Sequence, residues 1–162
     1  MGFVRLFRGE HEEAAAAAQH AIALAPNYAD GCGLLAFIRN FQGRAEEAIR
    51  HIRKAMALNP NSNYEYPWNL GRAYYTLGKY EEAIVALEEA SEKNPNAIFP
   101  RLVLAASYGR VGRDDDAHWE IEQISVLNPN ISISNLATTF PIQDPNQMNE
   151  FITDLRKAGL LE

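Results

Sequence analysis

The chain has a single cysteine, Cys32, in 162 residues, so it cannot form an internal disulfide, and its cysteine usage calls for no oxidising compartment. Long apolar runs are also missing. The stretch Ala14–Ala18, continued through His20 to Ala25, is too short to span a bilayer and too rich in alanine to insert, and the first ten residues hold no leader-like apolar segment. The expectation is therefore no membrane segment and a cytoplasmic location. Basic residues are outnumbered, 15 against 21 acidic, and the net charge of −6 argues against nucleic acid as a partner. The remaining composition, 47% apolar and 22% charged, is that of an ordinary folded chain. At this length a single domain buries roughly 70% of the surface its unfolded chain exposes.

The sequence is organised by repetition. The phrases Ala25-Pro26-Asn27, Asn59-Pro60-Asn61, Asn94-Pro95-Asn96 and Asn128-Pro129-Asn130 recur at spacings of 34, 35 and 34 residues. Gly9, Gly43, Gly78 and Gly112 break the middle of each period, and Ala14, Ala48, Ala83 and Ala117 follow five residues later. Each period is thus a pair of helices with a glycine turn. Apolar residues at three- and four-residue spacing, such as Ile49, Ile52 and Met56, give the second helix of a pair one buried stripe. The prolines disfavour helical geometry in the residue before them and end each unit.

The third copy carries Leu70-Gly71-x-x-Tyr74, Gly78, Tyr80, Ala83, Leu87, Ala90 and Pro95 in order, and it resembles the tetratricopeptide repeat (TPR). That resemblance implies an all-α fold, an α-solenoid of antiparallel helix pairs wound as a right-handed superhelix. First helices would line the concave face and second helices the convex one. The copies divide into a partial unit over about 1–28, then 29–63, 64–97 and 98–130, with capping helices over 131–162, all within a single domain covering 1–162.

The two ends read differently. Counting back from Pro26 places Met1-Gly2 where Leu70-Gly71 stands in copy three, so the first unit starts halfway along its first helix. Phe3, Val4, Leu6 and Phe7 would then be poorly covered. The expectation is a fragment of a longer protein or a homodimer through that edge. At the other end Asp144-Pro145 reads as an N-cap with proline in the first turn, and Met148, Phe151, Ile152 and Leu155 form an apolar stripe. Phe140-Pro141, Asp144-Pro145 and Leu155–Leu160 are also similar to the tails of TPR regions that follow bacterial class III adenylate and guanylate cyclase domains. That similarity implies an alternative role as the regulatory or oligomerising C-terminal region of a larger bacterial signalling protein.

Apparent catalytic motifs have simpler structural explanations. Gly31-Cys32-Gly33-x-x-Ala36 fits a dinucleotide-binding spacing, but no strand precedes it, so small residues at a helix crossing are favoured. His11, His20, His51 and His118 fall on second helices of three units, and no pair shares metal-ligand spacing. Asp114-Asp115-Asp116 with His118 and Glu120 could hold a divalent ion, yet acids at a helix start are better read as caps and dipole partners. No phosphate loop or nucleophile elbow is present, so no enzyme, cofactor or metal is expected. On the convex side the register sets Arg53 opposite Glu88 and Lys54 opposite Glu89, pairs worth about 0–1 kcal/mol each.

What remains is a binding surface. The repeat register places Asp30, Leu34, Phe37, Asn40 and Phe41 of copy two on the inner curve, with Glu65, Trp68, Asn69, Arg72 and Tyr75 of copy three and Phe99 and Arg110 of copy four. Aromatic and arginine side chains anchor partners well, because they bury large areas at small entropic cost. Phe37, Asn40, Phe41, Trp68, Asn69, Arg72, Tyr75 and Arg110 are therefore the candidate groove for a protein or peptide segment. The competing reading for Phe37, Phe41 and Trp68 is packing between units or under the C-terminal helix. The lysine and asparagine clamp that the family uses for chaperone tails is not supported, because Asp30, Glu65 and Phe99 occupy the relevant first turns.

Overall fold

The computed structural model describes residues 10–162, in which every regular element is a helix. In chain order these are α1 (His11–Leu24), α2 (Ala29–Phe41), α3 (Ala45–Leu58), α4 (Glu65–Thr76), α5 (Tyr80–Lys93), α6 (Ile98–Arg110), α7 (Asp114–Leu127), α8 (Ile133–Thr139) and α9 (Pro145–Lys157). The edge at Phe3–Phe7 lies outside the described residues.

The turns explain why the helices stop where they do. Gly78 has φ of +71°, a left-handed conformation that glycine adopts without steric cost, and Gly43 and Gly112 share it. Around Gly78 the Lys79 N–H donates to the Tyr74 carbonyl and the Gly78 N–H to that of Tyr75, the crossed pair of bonds that closes a helix C-terminus. The same pair recurs at Arg44 and Gly43 and at Arg113 and Gly112. The second helices α3, α5 and α7 end on the asparagine before proline, and α1 ends on Ala25 before Pro26. The Asn94 and Asn128 side chains then accept from the N–H of Asn96 and Asn130, which turns the chain into the next unit.

The helix pairs α2–α3, α4–α5 and α6–α7 stack in sequence, with α1 packed on α2, as expected for an α-solenoid. Ala48, Ala83 and Ala117 are buried at the crossings. Gly71 lies so close to α5 that a Cβ on it would sit 2.5 Å from Leu87 Cγ. The Gly31–Gly33 segment lies inside α2, and a Cβ on Gly33 would meet the Tyr66 ring at 2.9 Å, so its small residues serve helix packing. The first helices α2, α4 and α6 touch one another along the inner curve, and α9 packs against α6.

Two expectations for the convex face are corrected. Arg53 donates to Tyr74 Oη, Glu88 accepts from Tyr108 Oη, and Glu89 pairs with Lys93 one turn away, so the Arg53–Glu88 and Lys54–Glu89 pairs do not form. The second helices pack chiefly on the first helices that flank them, and their charged groups find partners there or on their own helix. At α7 the N-cap is Arg113, and none of Asp114, Asp115 or Asp116 caps with its side chain; Asp116 instead accepts from Arg113. The three acids stand in the first turn, where the helix dipole favours negative charge, and Asp116 adds an ion pair with Arg113.

Among the described residues no helix is long and apolar enough to cross a membrane, and no group of three or more His, Cys, Asp or Glu is placed to hold a metal. Glu120 is engaged by Arg101 at 2.6 Å in a buried ion pair, and His118 Nδ1 lies 2.7 Å from the Asp114 carbonyl oxygen. Burial raises the Glu120 carboxyl above its ordinary range, and the Arg101 hydrogen bond opposes that rise.

Candidate functional site

The inner curve is built by α2, α4 and α6, and it is divided along its length. One part is filled by the chain's own tail. Past α8 the chain lays Phe140 into the groove, where the ring lies 5.2 Å from that of Phe41 and 5.5 Å from that of Phe151 on α9. The Gln143 N–H donates to the Phe41 carbonyl at 2.8 Å, so one backbone bond ties the segment to the C-terminal end of α2. Ser132 caps α8 and Asp144 caps α9, the latter accepting from the Asn146 N–H with Pro145 in the first turn. These caps fix where the tail helices begin.

Besides Phe41, the tail engages three more of the candidate residues directly. Tyr75 Oη donates to Asp154 on α9, and Arg110 Nε donates to the same carboxylate oxygen at 2.6 Å. Asp154 is only 4% exposed, so the bonds replace water that the carboxylate has lost. Burial and the bond to Asp154 push the Tyr75 hydroxyl well above the usual tyrosine range. The Arg72 guanidinium sits over the rings of Phe41, Phe140 and Phe151 at 4.9, 5.1 and 5.5 Å. Burial pulls its pKa down to about 10, so it stays charged at neutral pH.

The other part of the groove, toward the N-terminal ends of α2 and α4, is open. It is a cleft of about 260 Å³ whose floor includes Leu34, Phe37 and Trp68. Phe37 packs edge-on against Trp68 at 5.3 Å, and Trp68 stacks on Phe99 at 6.1 Å. Beneath them Asn40 Nδ2 donates to the Asn69 carbonyl at 2.8 Å, and Asn69 Nδ2 donates to the Glu65 carbonyl. These amides hold α2 and α4 in register. The rim carries the carboxylates of Asp30 and Glu65, both exposed, and neither forms an ion pair among the described residues. Tyr66 Oη approaches Asp30 at 3.4 Å, and burial together with that carboxylate raises its pKa.

The eight candidate residues thus separate by role. Phe37, Trp68 and Asn69 line the open cleft, Asn40 braces it, and Phe41, Arg72, Tyr75 and Arg110 hold the tail. Phe41 is covered by the C-terminal segment, whereas Phe37 and Trp68 are largely buried against neighbouring rings and still face the cleft. Sequence reasoning missed Phe140, Phe151 and Asp154 as groove occupants. One available signal was an acid at position 154, set beside the apolar Phe151, Ile152 and Leu155 on the buried face of α9.

Comparison with known proteins agrees with the repeat reading. A family profile for the tetratricopeptide repeat matches residues 41–105. Among solved structures, the chain is similar to MamA, with a TM-score of 0.68 and 21% identity over 98% of this chain and 92% of that one. It is also similar to a thermophilic TPR protein of Thermus thermophilus, with a TM-score of 0.72 and 19% identity over 97% and 86% of the two chains. A third is YrrB, described as a TPR protein with an unusual peptide-binding site, with a TM-score of 0.63 and 19% identity over 97% and 80%. No curated protein matches in sequence.

Proposed function

We propose, since this chain is a tetratricopeptide-repeat protein and its own tail fills part of the groove, that it is a non-enzymatic scaffold whose open cleft holds a short partner segment. The segment seats one large apolar side chain against Phe37 and Trp68 and places a lysine or arginine at the rim between Asp30 and Glu65. One observation carries the reading: an aromatic floor with two exposed carboxylates that have no cation of their own among the described residues. An apolar side chain supplies affinity by leaving water, and the acidic rim selects against negatively charged segments. That a neighbour of the same fold is described by its peptide-binding site supports the class of partner and says nothing about its place here.

The test uses two synthetic peptides that share a central phenylalanine, one flanked by arginines and the other by glutamates. Trp68 fluorescence reports binding in a Trp119→Phe background, which leaves Trp68 as the sole tryptophan. The basic peptide is expected to bind at least about tenfold tighter than the acidic one, a difference of roughly 1.4 kcal/mol. The Asp30→Lys, Glu65→Lys double variant is expected to reverse the order. Equal affinity for both peptides, or a preference that survives the double reversal, refutes the proposal.

A further inference from the structure

Beneath α9 lies a second cavity, of about 50 Å³, bordered by Arg72, Tyr75, Arg110, Gln147 and Glu150. Arg72 is 3% exposed, and its Nε and Nη1 have no hydrogen-bond acceptor among the described residues. The carboxylate that could have served it, Asp154, already accepts from Tyr75 and Arg110. Glu150 stands at the rim, 71% exposed and 4.0 Å from Arg110 Nη2. Arg72 therefore faces three phenyl rings and a cavity. Ring faces attract the cation, but they accept none of its N–H bonds in the guanidinium plane. A buried charge held without an anion is among the costliest arrangements in a protein interior.

A second unpartnered group borders the same space. Gln147 Oε1 is buried and receives no hydrogen bond from the described residues. Turning that amide about its Cγ–Cδ bond would present Nε2 instead, which makes the side chain a donor. With this change, Arg72 and Gln147 are both potential donors bordering one small volume, which opens toward solvent beside Glu150.

We propose that this cavity is a binding site for a small monovalent anion, a halide or a carboxylate of the size of formate, held by Arg72 and the turned Gln147 amide. A water, with about 30 Å³ of its own, would also fit there. It can take one or two of the N–H bonds, but it leaves the guanidinium charge uncompensated. The site lies apart from the open cleft and shares none of its lining residues, so it stands or falls independently of the peptide proposal.

The test is thermal unfolding of the full chain in sodium bromide, sodium formate and sodium gluconate at one ionic strength, together with anomalous diffraction from bromide-soaked crystals. The unfolding temperature is expected to be higher in bromide or formate than in gluconate, and which of the two acts identifies halide or carboxylate. A bromide peak is expected within hydrogen-bond distance of Arg72. Arg72→Met is expected to abolish the salt-specific shift. Should that variant fail to fold, Gln147→Leu serves, with the bromide concentration needed for half the shift rising about tenfold. Identical unfolding in all three salts, a shift unchanged by Gln147→Leu, or, where bromide is the salt that acts, water alone in the cavity or bromide confined to exposed surface as an adventitious ion only would each overturn the proposal.

Discussion

Replacing Asp154 with alanine tests whether the tail is fastened into the groove by that single carboxylate. The substitution leaves the buried Tyr75 hydroxyl without an acceptor, which costs about 1–3 kcal/mol. It also removes the ion pair with Arg110, whose side chain is 34% exposed; water replaces much of that interaction, so the loss falls to about 0–1 kcal/mol. The sum is roughly 1–4 kcal/mol. For a chain of this size each kcal/mol moves the midpoint by about 2–4 °C, so a loss in the middle of that range, about 2.5 kcal/mol, is expected to shift thermal unfolding followed by circular dichroism down by roughly 5–10 °C. Asp154→Asn keeps an oxygen for Tyr75 and loses only the charge, so it is expected to cost about 1 kcal/mol. Combining Asp154→Ala with Tyr75→Phe is expected to be less than additive, because the second change removes the orphaned hydroxyl. Hydrogen exchange locates the effect, with amides of α9 losing protection before those of α4 and α5. An Asp154→Ala protein within about 0.5 kcal/mol of the parent, or an Asn variant as damaged as the Ala variant, would refute the reasoning.

Two further outcomes follow from the packing and the titrating groups. Gly71→Ala must push Leu87 and the Ala83 carbonyl away from a new methyl, an overpacking that costs about 1–3 kcal/mol in denaturant unfolding. Gly109→Ala meets nothing within 4 Å inside α6 and is expected to stabilise by about 0.5–1 kcal/mol, so a reversed order of the two would discredit the helix spacing. Burial lowers the His51 pKa, and Arg39 adds to the effect, while burial also lowers that of His11. The unfolded chain therefore binds protons first as pH falls below the ordinary histidine value of 6.5. Stability present above that value is lost on acidification toward the folded-state values. His51→Gln is expected to flatten this slope between pH 6.5 and lower pH in stability measurements, and an unchanged slope would remove His51 as its source.

The helix pairs were legible because their signals are local. A proline every 34 or 35 residues and a glycine at each turn fix where α2 to α7 begin and end, and the buried alanines follow at constant offset. The repeat register likewise carried Phe37, Trp68 and Arg72 to the inner curve without any knowledge of distant contacts. The use made of that curve was not legible. Tyr75 meets Asp154 across 79 residues and Arg110 meets it across 44, and no periodicity links a capping helix to a groove two units away. The convex ion pairs failed for a related reason. Register says which residues share a face, but the choice of partner depends on side-chain reach. Glu88 therefore went to Tyr108 and Glu120 to Arg101, from the neighbouring first helix.

The division of the groove follows from its own composition. The C-terminal halves of α2 and α4, with the end of α6, supply Phe41, Arg72, Tyr75 and Arg110, two rings and two cations, and the tail answers with Phe140, Phe151 and one buried carboxylate. The N-terminal halves supply Leu34, Phe37 and Trp68 under an acidic rim, and no cation of the tail lines that cleft. A segment that pairs with the basic half is therefore the wrong sign for the acidic half. The ligand proposed for the cleft carries the charge that the groove-filling part of the tail lacks. A cationic segment that competed with the tail for Arg72 and Tyr75, rather than binding beside it, would contradict this electrostatic division. The hydrogen-exchange protection of α9 during peptide titration distinguishes the two outcomes: it is expected to remain unchanged at saturation.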